Sequence, residues 1–393
     1  MLASPRMMKP ALISLLALGL SGCIPKEAFV SPPASSSAAT AADAPGEPAS
    51  PAGAVPAEAV PEAAPASAAP VDLTPVPFEI ARADFVRETS ARYGIPAAEI
   101  EATLGRAQFL DSVVALMARP AERVKPWHEY RPMFISQARI DGGRAFLAQH
   151  KARLDKVQAQ TGVPAELIVA IIGVETSYGG NTGRHSVLDA LYTLAFRYPR
   201  SGDPDKLERE VRRELFFRDE LAQLFALGRE EKLDIVALKG SYAGAMGMGQ
   251  FMPSSYRDFA VDGDGDGRRD LFGSLDDVFA SVANYFVKKG GWVAGGPVAV
   301  PATLAAGREP FDPVDWTPNH SLADLAARGY TAQQPVPAGA TATPVSLVGA
   351  SGPQYWLGFQ NYYAITRYNI SKMYAMAVFQ LSQAIAGEEL PPA

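Results

Sequence analysis

A single cysteine in 393 residues rules out an intramolecular disulfide framework. Histidine is nearly as scarce. His128, His150, His185 and His320 are the only four, and none has a metal-binding spacing such as H-E-x-x-H. No G-x-S-x-G elbow occurs either, so zinc hydrolase and serine esterase readings have no support. Basic residues are outnumbered, 36 Lys and Arg against 42 Asp and Glu, for a net charge of −6. A surface that tracks phosphates needs clustered cations in excess, so the chain is not expected to bind nucleic acid. The glycine pattern Gly244-x-x-Gly247-x-Gly249 is not the dinucleotide fingerprint, and no Lys-Ser/Thr pair follows it as in a P-loop, which argues against a nucleotide or other organic cofactor. Apolar residues make up 48% of the chain, enough for a sizeable core.

The longest apolar run near the start, Ala11 to Leu20, is too short for a comfortable membrane span. Preceded by Arg6 and Lys9, it reads as the h-region of a secretion signal. Leu20-Ser21-Gly22-Cys23 resembles the bacterial lipobox, in which the cysteine becomes the lipidated first residue of the mature chain. The expected organisation is a signal peptide over 1–22, followed by a lipidated Cys23 and an Ala/Pro/Ser-rich tether over 23–74. Such a composition buries too little apolar surface to offset its ordering entropy. By analogy with lipoproteins, Ile24 after the cysteine points to the outer membrane of a Gram-negative cell and a periplasmic location.

From about residue 75 to 390 the composition is that of a globular domain. Stretches such as "PAAEIEATLGRAQFLDSVVALMA", "GGRAFLAQHKARLDKVQAQTG" and "RELFFRDELAQLFALGRE" repeat apolar residues every three or four positions and predict core helices. Between about Gly296 and Val348, short runs rich in Pro, Gly, Thr and Val suit small strands or loops better. Helical pattern resumes through "SKMYAMAVFQLSQAIAG". The fold class is therefore mainly α, with a small β-containing part.

Three groups of residues suggest chemistry. In "VPAELIVAIIGVETSYGG", Pro164 suits a helix start and Gly179-Gly180 a stop, and Ile168, Ile171, Ile172 and Glu175 share one face. A lone carboxylate there meets two effects of the same sign, burial and the negative end of the helix dipole, and both keep it protonated. A neutral carboxylic acid near pH 7 can donate a proton. A structural Glu paired with an Arg, or one emerging at a frayed helix end, would fit the same stretch. The second group, "KGSYAGAMGMGQFMPSSY", combines four glycines with Ser241 and Gln250, and suits either close passage of a polar ligand or close packing. The third, "YWLGFQNYYAITRYN", supplies rings suited to stacking on a pyranose or to a core. Together they suggest a carbohydrate cleft.

The blocks "GVETSYGGNTG", "LDALYTLAFRYPR", "LKGSYAGAMGMGQFMPSSYRDFAVDGDGDG", "SVANYF" and "NYYAITRYN", in this order, closely resemble the lytic murein transglycosylase B family. The resemblance implies a lysozyme-like catalytic core with an additional helical subdomain and a small β-containing subdomain. It implies action on peptidoglycan: Glu175, the Glu of G-V-E-T, would cleave the β-1,4 bond between N-acetylmuramic acid and N-acetylglucosamine. As sole acid and base it would leave a 1,6-anhydro end, with no water consumed. Motif position assigns substrate contacts to Ser241, Gln250, Arg200 of Y-P-R, Tyr285, Asn361 and Tyr363. Tyr178, where some members carry Trp, is a further candidate, and Ser201 stands where some carry a second Arg. The implied partners are glycan strands, the membrane through the lipid, and proteins of the wall-synthesis machinery, with the chain itself a monomer. Two rivals remain: a hydrolytic muramidase of the same fold, which needs a second carboxylate facing Glu175, and an inactive wall-binding scaffold.

"DGDGDGRRDLFGSLDD", residues 262–277, matches the first half of an EF-hand loop, with Asp262, Asp264 and Asp266 at positions 1, 3 and 5 and Gly267 at position 6. Arg268 would offer its backbone carbonyl. Gly273 stands where the bidentate Glu belongs, and the resemblance implies that Asp276 or Asp277 substitutes from a longer loop. A structural Ca²⁺ is the expected occupant, the alternative being an acidic surface turn.

Overall fold

The computed structural model describes residues 70–119, 125–311 and 313–392. The signal segment, Cys23 and nearly all of the tether therefore lie outside the described residues.

Seven helices come first. They are α1 (Phe78–Tyr93), α2 (Ala97–Leu104), α3 (Asp111–Met117), α4 (Trp127–Phe134), α5 (Gln137–Gln149), α6 (Lys151–Thr161) and α7 (Ala165–Thr176). Two periodic stretches predicted as continuous are each split. The first breaks between α2 and α3, where Gly105 to Leu110 leave the helix. The second breaks at His150, whose ring instead packs on Phe146 at 4.6 Å. Tertiary packing overrides a local pattern in both. Strand β1 (His185–Ser186) then leads into α8 (Val187–Phe196), the long α9 (Pro204–Glu230), β2 (Lys239–Gly240), α10 (Pro253–Phe259) and α11 (Leu275–Lys288). Starts are set by side-chain caps: Ser186, Asp203 and Ser274 each accept a backbone N–H of the first turn.

The small β part is an insertion between α11 and the closing helices. It runs β3 (Ala299–Leu304), β4 (His320–Ser321), α12 (Leu322–Ala327), β5 (Tyr330–Ala332), β6 (Thr341–Gly349) and β7 (Gly352–Gly358). These strands form an antiparallel sheet in the order β4-β6-β7-β3-β5. Alternation along the strands gives the sheet two faces. Val345, Leu347 and Trp356 belong to the main core, whereas Val300, Ala302, Ala342 and Leu357 enclose a satellite core with Leu325 and Tyr330. The chain then returns to the main body as α13 (Gln360–Thr366) and α14 (Lys372–Ala386).

Helix α7 runs through the middle of this body. From Leu167 to Gly173 every residue is buried, so the predicted apolar stripe is in fact apolar all round. It packs against α5, α6, α11 and α14. Among the described residues, no single helix is long and apolar enough to cross a membrane.

Candidate active site

Helix α7 stops two residues earlier than its glycines suggest. Ser177 and Tyr178 both turn left-handed, at φ 51° and 62°, and their N–H groups donate back to Gly173 and Ile172. Side chains other than glycine take up such conformations only when the surroundings enforce them. Here Tyr178 is held by its ring, which packs on Gly173 and stacks on Phe146, and by its hydroxyl, which donates to the Arg139 carbonyl at 2.7 Å. Glu175 is thereby fixed in the last turn of a rigid helix.

The Glu175 side chain is partly exposed yet surrounded by protein on most sides. Burial pushes its carboxyl up to about 7, against the smaller opposing effect of the Tyr374 hydroxyl, which donates to Oε1 at 2.5 Å. Burial and the nearby Glu175 carboxylate in turn hold the Tyr374 phenol far above its ordinary range, so Tyr374 is a donor throughout the physiological range. No other carboxylate among the described residues perturbs Glu175. The arrangement is a lone acid, protonated near neutrality, with one oxygen oriented by a phenol and the other left for chemistry.

The glycine-rich segment is brought to this acid by backbone crossings and hydrogen bonds. β2 pairs with β1, and Gly183 lies so close to Gly240 that a Cβ would come within 2.1 Å of its carbonyl oxygen. Met246 and Phe251 exchange two backbone bonds and close a turn over Gly247 to Gln250. Three side chains secure that turn. Thr176, next to Glu175, donates to Met248 O at 3.0 Å, Tyr368 donates to Gly249 O at 2.7 Å, and Gln250 Nε2 donates to Thr182 O and Gly247 O. The Gln250 donors are taken up by these two carbonyls, one in its own turn and one in the loop after α7, and its Oε1 is left for a ligand. Ser241 Oγ accepts from the N–H groups of Ala243 and Ala245, so its own O–H remains available to an incoming group.

The other sequence-predicted contacts are placed differently. Tyr363 is partly exposed, its ring 4.4 Å from the Arg367 guanidinium. Arg200 is exposed, paired with Glu214 and near the Tyr198 ring. Tyr285 is buried, and its hydroxyl donates to Arg367 O at 2.6 Å. Asn361 requires a correction. It is fully buried, and its amide accepts from Val293 N and donates to the carbonyls of Val293 and Gly296, all at 2.8 Å, so it braces that loop and offers nothing to a sugar. Half of the aromatic group is also core: Trp356, Phe359 and Tyr362 are buried. Sequence reasoning missed Tyr374, seven residues past the last quoted aromatic motif's "TR", because nothing in the α14 pattern sets it apart from a packing residue.

In the acidic loop the carboxylates of Asp262, Asp264 and Asp277 converge within 4.8 Å of one another. Asp277, 1% exposed, accepts Gly263 N–H at 2.8 Å and Asp270 N–H at 2.6 Å and thus ties both ends of the loop. Asp276 turns instead toward Arg153, at 3.5 Å, and Asp266 accepts the Arg268 N–H. Of the two acids that the sequence leaves open, it is Asp277 that faces the loop. A cluster of hard oxygens around one buried carboxylate, with no cationic side chain as partner among the described residues, fits a hard divalent cation.

Residues 77–383 match the family described as "Transglycosylase SLT domain". Over 311 residues the chain is 42% identical to the Membrane-bound lytic murein transglycosylase B of Escherichia coli K12, covering 77% of this chain and 81% of that protein. Among solved structures, soluble lytic transglycosylase SltB1 from Pseudomonas aeruginosa superposes with a TM-score of 0.70 at 44% identity, over 78% of this chain and 98% of that one. The E. coli lytic transglycosylase Slt35 in complex with calcium does so with a TM-score of 0.67 at 41% identity, over 78% and 92%.

Proposed function

The chain belongs to the transglycosylase SLT domain family, and from that premise we propose that Glu175 carries out, alone, both proton transfers of a peptidoglycan lytic transglycosylase. The observation that carries this reading is a single carboxylate raised by burial to about 7, oriented by Tyr374 and free of any second perturbing acid among the described residues. A water-dependent glycosidase needs two carboxylates, one to protonate and one to attack or to activate water. Here the substrate supplies the nucleophile. Glu175 gives its proton to the oxygen of the β-1,4 bond between N-acetylmuramic acid and N-acetylglucosamine as the C1–O bond breaks. The resulting carboxylate takes the proton of the muramic acid C6 hydroxyl as O6 bonds to C1, which leaves a 1,6-anhydro end and returns Glu175 to its acid form. Tyr374 stays bonded to Oε1 throughout and fixes which oxygen handles the proton.

In the same reading Gln250 and Ser241 bind the glycan, with Tyr363 and Arg200 as outer contacts. Asp262, Asp264 and Asp277 hold a calcium ion that braces the loop following the glycan-binding turn; the neighbour Slt35, described in complex with calcium, supports this. The ion would supply charge neutralisation there and takes no part in bond cleavage. The enzyme works in the periplasm in association with a membrane; the membrane association is supported by the membrane-bound name of its E. coli relative, and Cys23 is the anchoring residue of this reading.

The test is mass spectrometry of muropeptides released from purified peptidoglycan by the full-length protein, beside Glu175→Gln. Anhydro-muropeptides, lighter by one water than reducing-end products and absent from the variant, are expected. Reducing-end products would mean that water attacks, and no product would favour a binding scaffold.

A further inference from the structure

Helix α9 carries a buried carboxylate that the mechanism does not use. Glu220 is 2% exposed and has no cationic partner among the described ion pairs. It accepts two hydrogen bonds from one residue of another helix: the Ser254 N–H donates to Oε2 at 2.9 Å and the Ser254 hydroxyl to Oε1 at 2.5 Å. The titratable groups facing it are Asp219 on its own helix, Asp258 on α10 and Tyr285 on α11, and both acids disfavour its ionisation. A carboxyl group so placed costs stability unless its hydrogen bonds are made well.

Those bonds end on the first turn of α10. The N-cap of that helix is Met252, which has no side-chain oxygen for the orphan N–H groups, so Glu220 satisfies Ser254 from across the interface. Directly upstream, Phe251 and Met252 are buried, and Phe251 is locked to Met246 by two 3.0 Å backbone bonds that enclose the Gly247–Gln250 turn. Whatever fixes the start of α10 therefore fixes the base of the turn that presents Gln250.

We propose that Glu220 is a positioning residue for glycan binding, clamping Ser254 so that α10 and the Gln250 turn keep their place against α9. The inference rests on the glycan-binding role of Gln250 given above. Both contacts survive in either protonation state. The anion accepts both donors, while the acid keeps the Ser254 N–H on one oxygen and gives its own proton to Ser254 Oγ. A glutamine does the same with its carbonyl and amide. The clamp is thus distinguishable from a second proton-transferring carboxylate, the group a hydrolytic mechanism would need.

Steady-state release of anhydro-muropeptides by the full-length protein tests it, with thermal melts of each variant as a fold control. Glu220→Gln should keep KM and kcat within about twofold of the parent, because both hydrogen bonds remain. Glu220→Met should raise KM about tenfold with kcat changed less, and Ser254→Ala about threefold. If Glu220→Met does not fold, Ser254→Ala decides the matter. A folded Glu220→Met or Ser254→Ala with parental KM would overturn the clamp. So would a Glu220→Gln as inactive as Glu175→Gln, which would make Glu220 a proton carrier. Failure of the underlying reading looks different, since the parent enzyme would then release no anhydro product, or Gln250→Ala would keep the parental KM.

Discussion

In the proposed mechanism Glu175 is an acid at one moment and a base at the next, and its surroundings hold it near the balance point. Burial favours the neutral form, whereas the Tyr374 hydroxyl favours the anion. With the carboxyl at about 7, kcat/KM should fall as pH rises through 7, because the ionised form has no proton to give. Tyr374→Phe removes the donor that favours the anion, so the same fall should move to higher pH, with turnover lowered about tenfold by the lost orientation. A pH profile of the two proteins checks this, and a fall displaced to lower pH would mean that Tyr374 favours the acid form. The same burial has a cost in stability. The folded state raises this carboxyl from an ordinary 4.5, so between 4.5 and about 7 the folded chain holds a proton that the unfolded chain releases. Stability therefore declines as pH rises across that window, by about 3 kcal/mol at about 1.4 kcal/mol per pH unit. Glu175→Gln should consequently be inactive, by a factor of about 10² to 10⁴, yet melt higher than the parent at pH 8 and at the same temperature at pH 4. Calorimetry at the two pH values separates these outcomes.

Individual elements differ in how openly the sequence announces them. The acid's place at the end of an apolar helix is legible, since Pro164, the isoleucines and the small residues all point one way. The stop of α7 is not, because Ser177 and Tyr178 adopt left-handed backbone only under contacts from α5, and those contacts are non-local. Tyr374 is hidden for a similar reason. It lies 199 residues from Glu175, and only the packing of α14 on α7 makes it a neighbour of that carboxylate. Asn361 was misread because a motif position cannot distinguish an amide that binds a ligand from one that braces a loop. The acidic loop is intermediate: its first carboxylates are visible, but only the fold decides that α11 sends Asp277 inward and Asp276 outward. This choice has a measurable consequence. Calcium at a hundred times its dissociation constant should stabilise the protein by about 2.7 kcal/mol, seen as a raised Tm that a chelator reverses. Asp277→Asn should abolish that rise and lower the metal-free Tm as well, because Asp277 accepts the Gly263 and Asp270 N–H groups on different oxygens and the amide turns one of these into a donor. Asp276→Asn should retain the rise. A calcium response undiminished in Asp277→Asn would remove Asp277 from the ligand set.

On the scale of the whole molecule, the parts of the proposed active site come from both sides of an insertion. Glu175 and the Gln250 turn precede the β part, while Tyr368 and Tyr374 follow it. The sheet has a satellite core of its own, which by itself would allow separate unfolding. Its second face, however, contributes Val345, Leu347 and Trp356 to the main core, and α4 packs on β6, so the side of that core under the sheet stays open without it. Cooperativity should then extend across the insertion. Leu325→Ala tests this at a site remote from the chemistry, since Leu325 is fully buried in the satellite core on α12. Deleting such a side chain should cost about 2–5 kcal/mol. If the sheet and the helical body are one unit, calorimetry will show a single transition at lower temperature, and the loss of activity on heating will follow it. Two resolved transitions, with activity persisting beyond the first, would mean that the sheet opens alone and that the helical body holds Tyr374 against Glu175 without it.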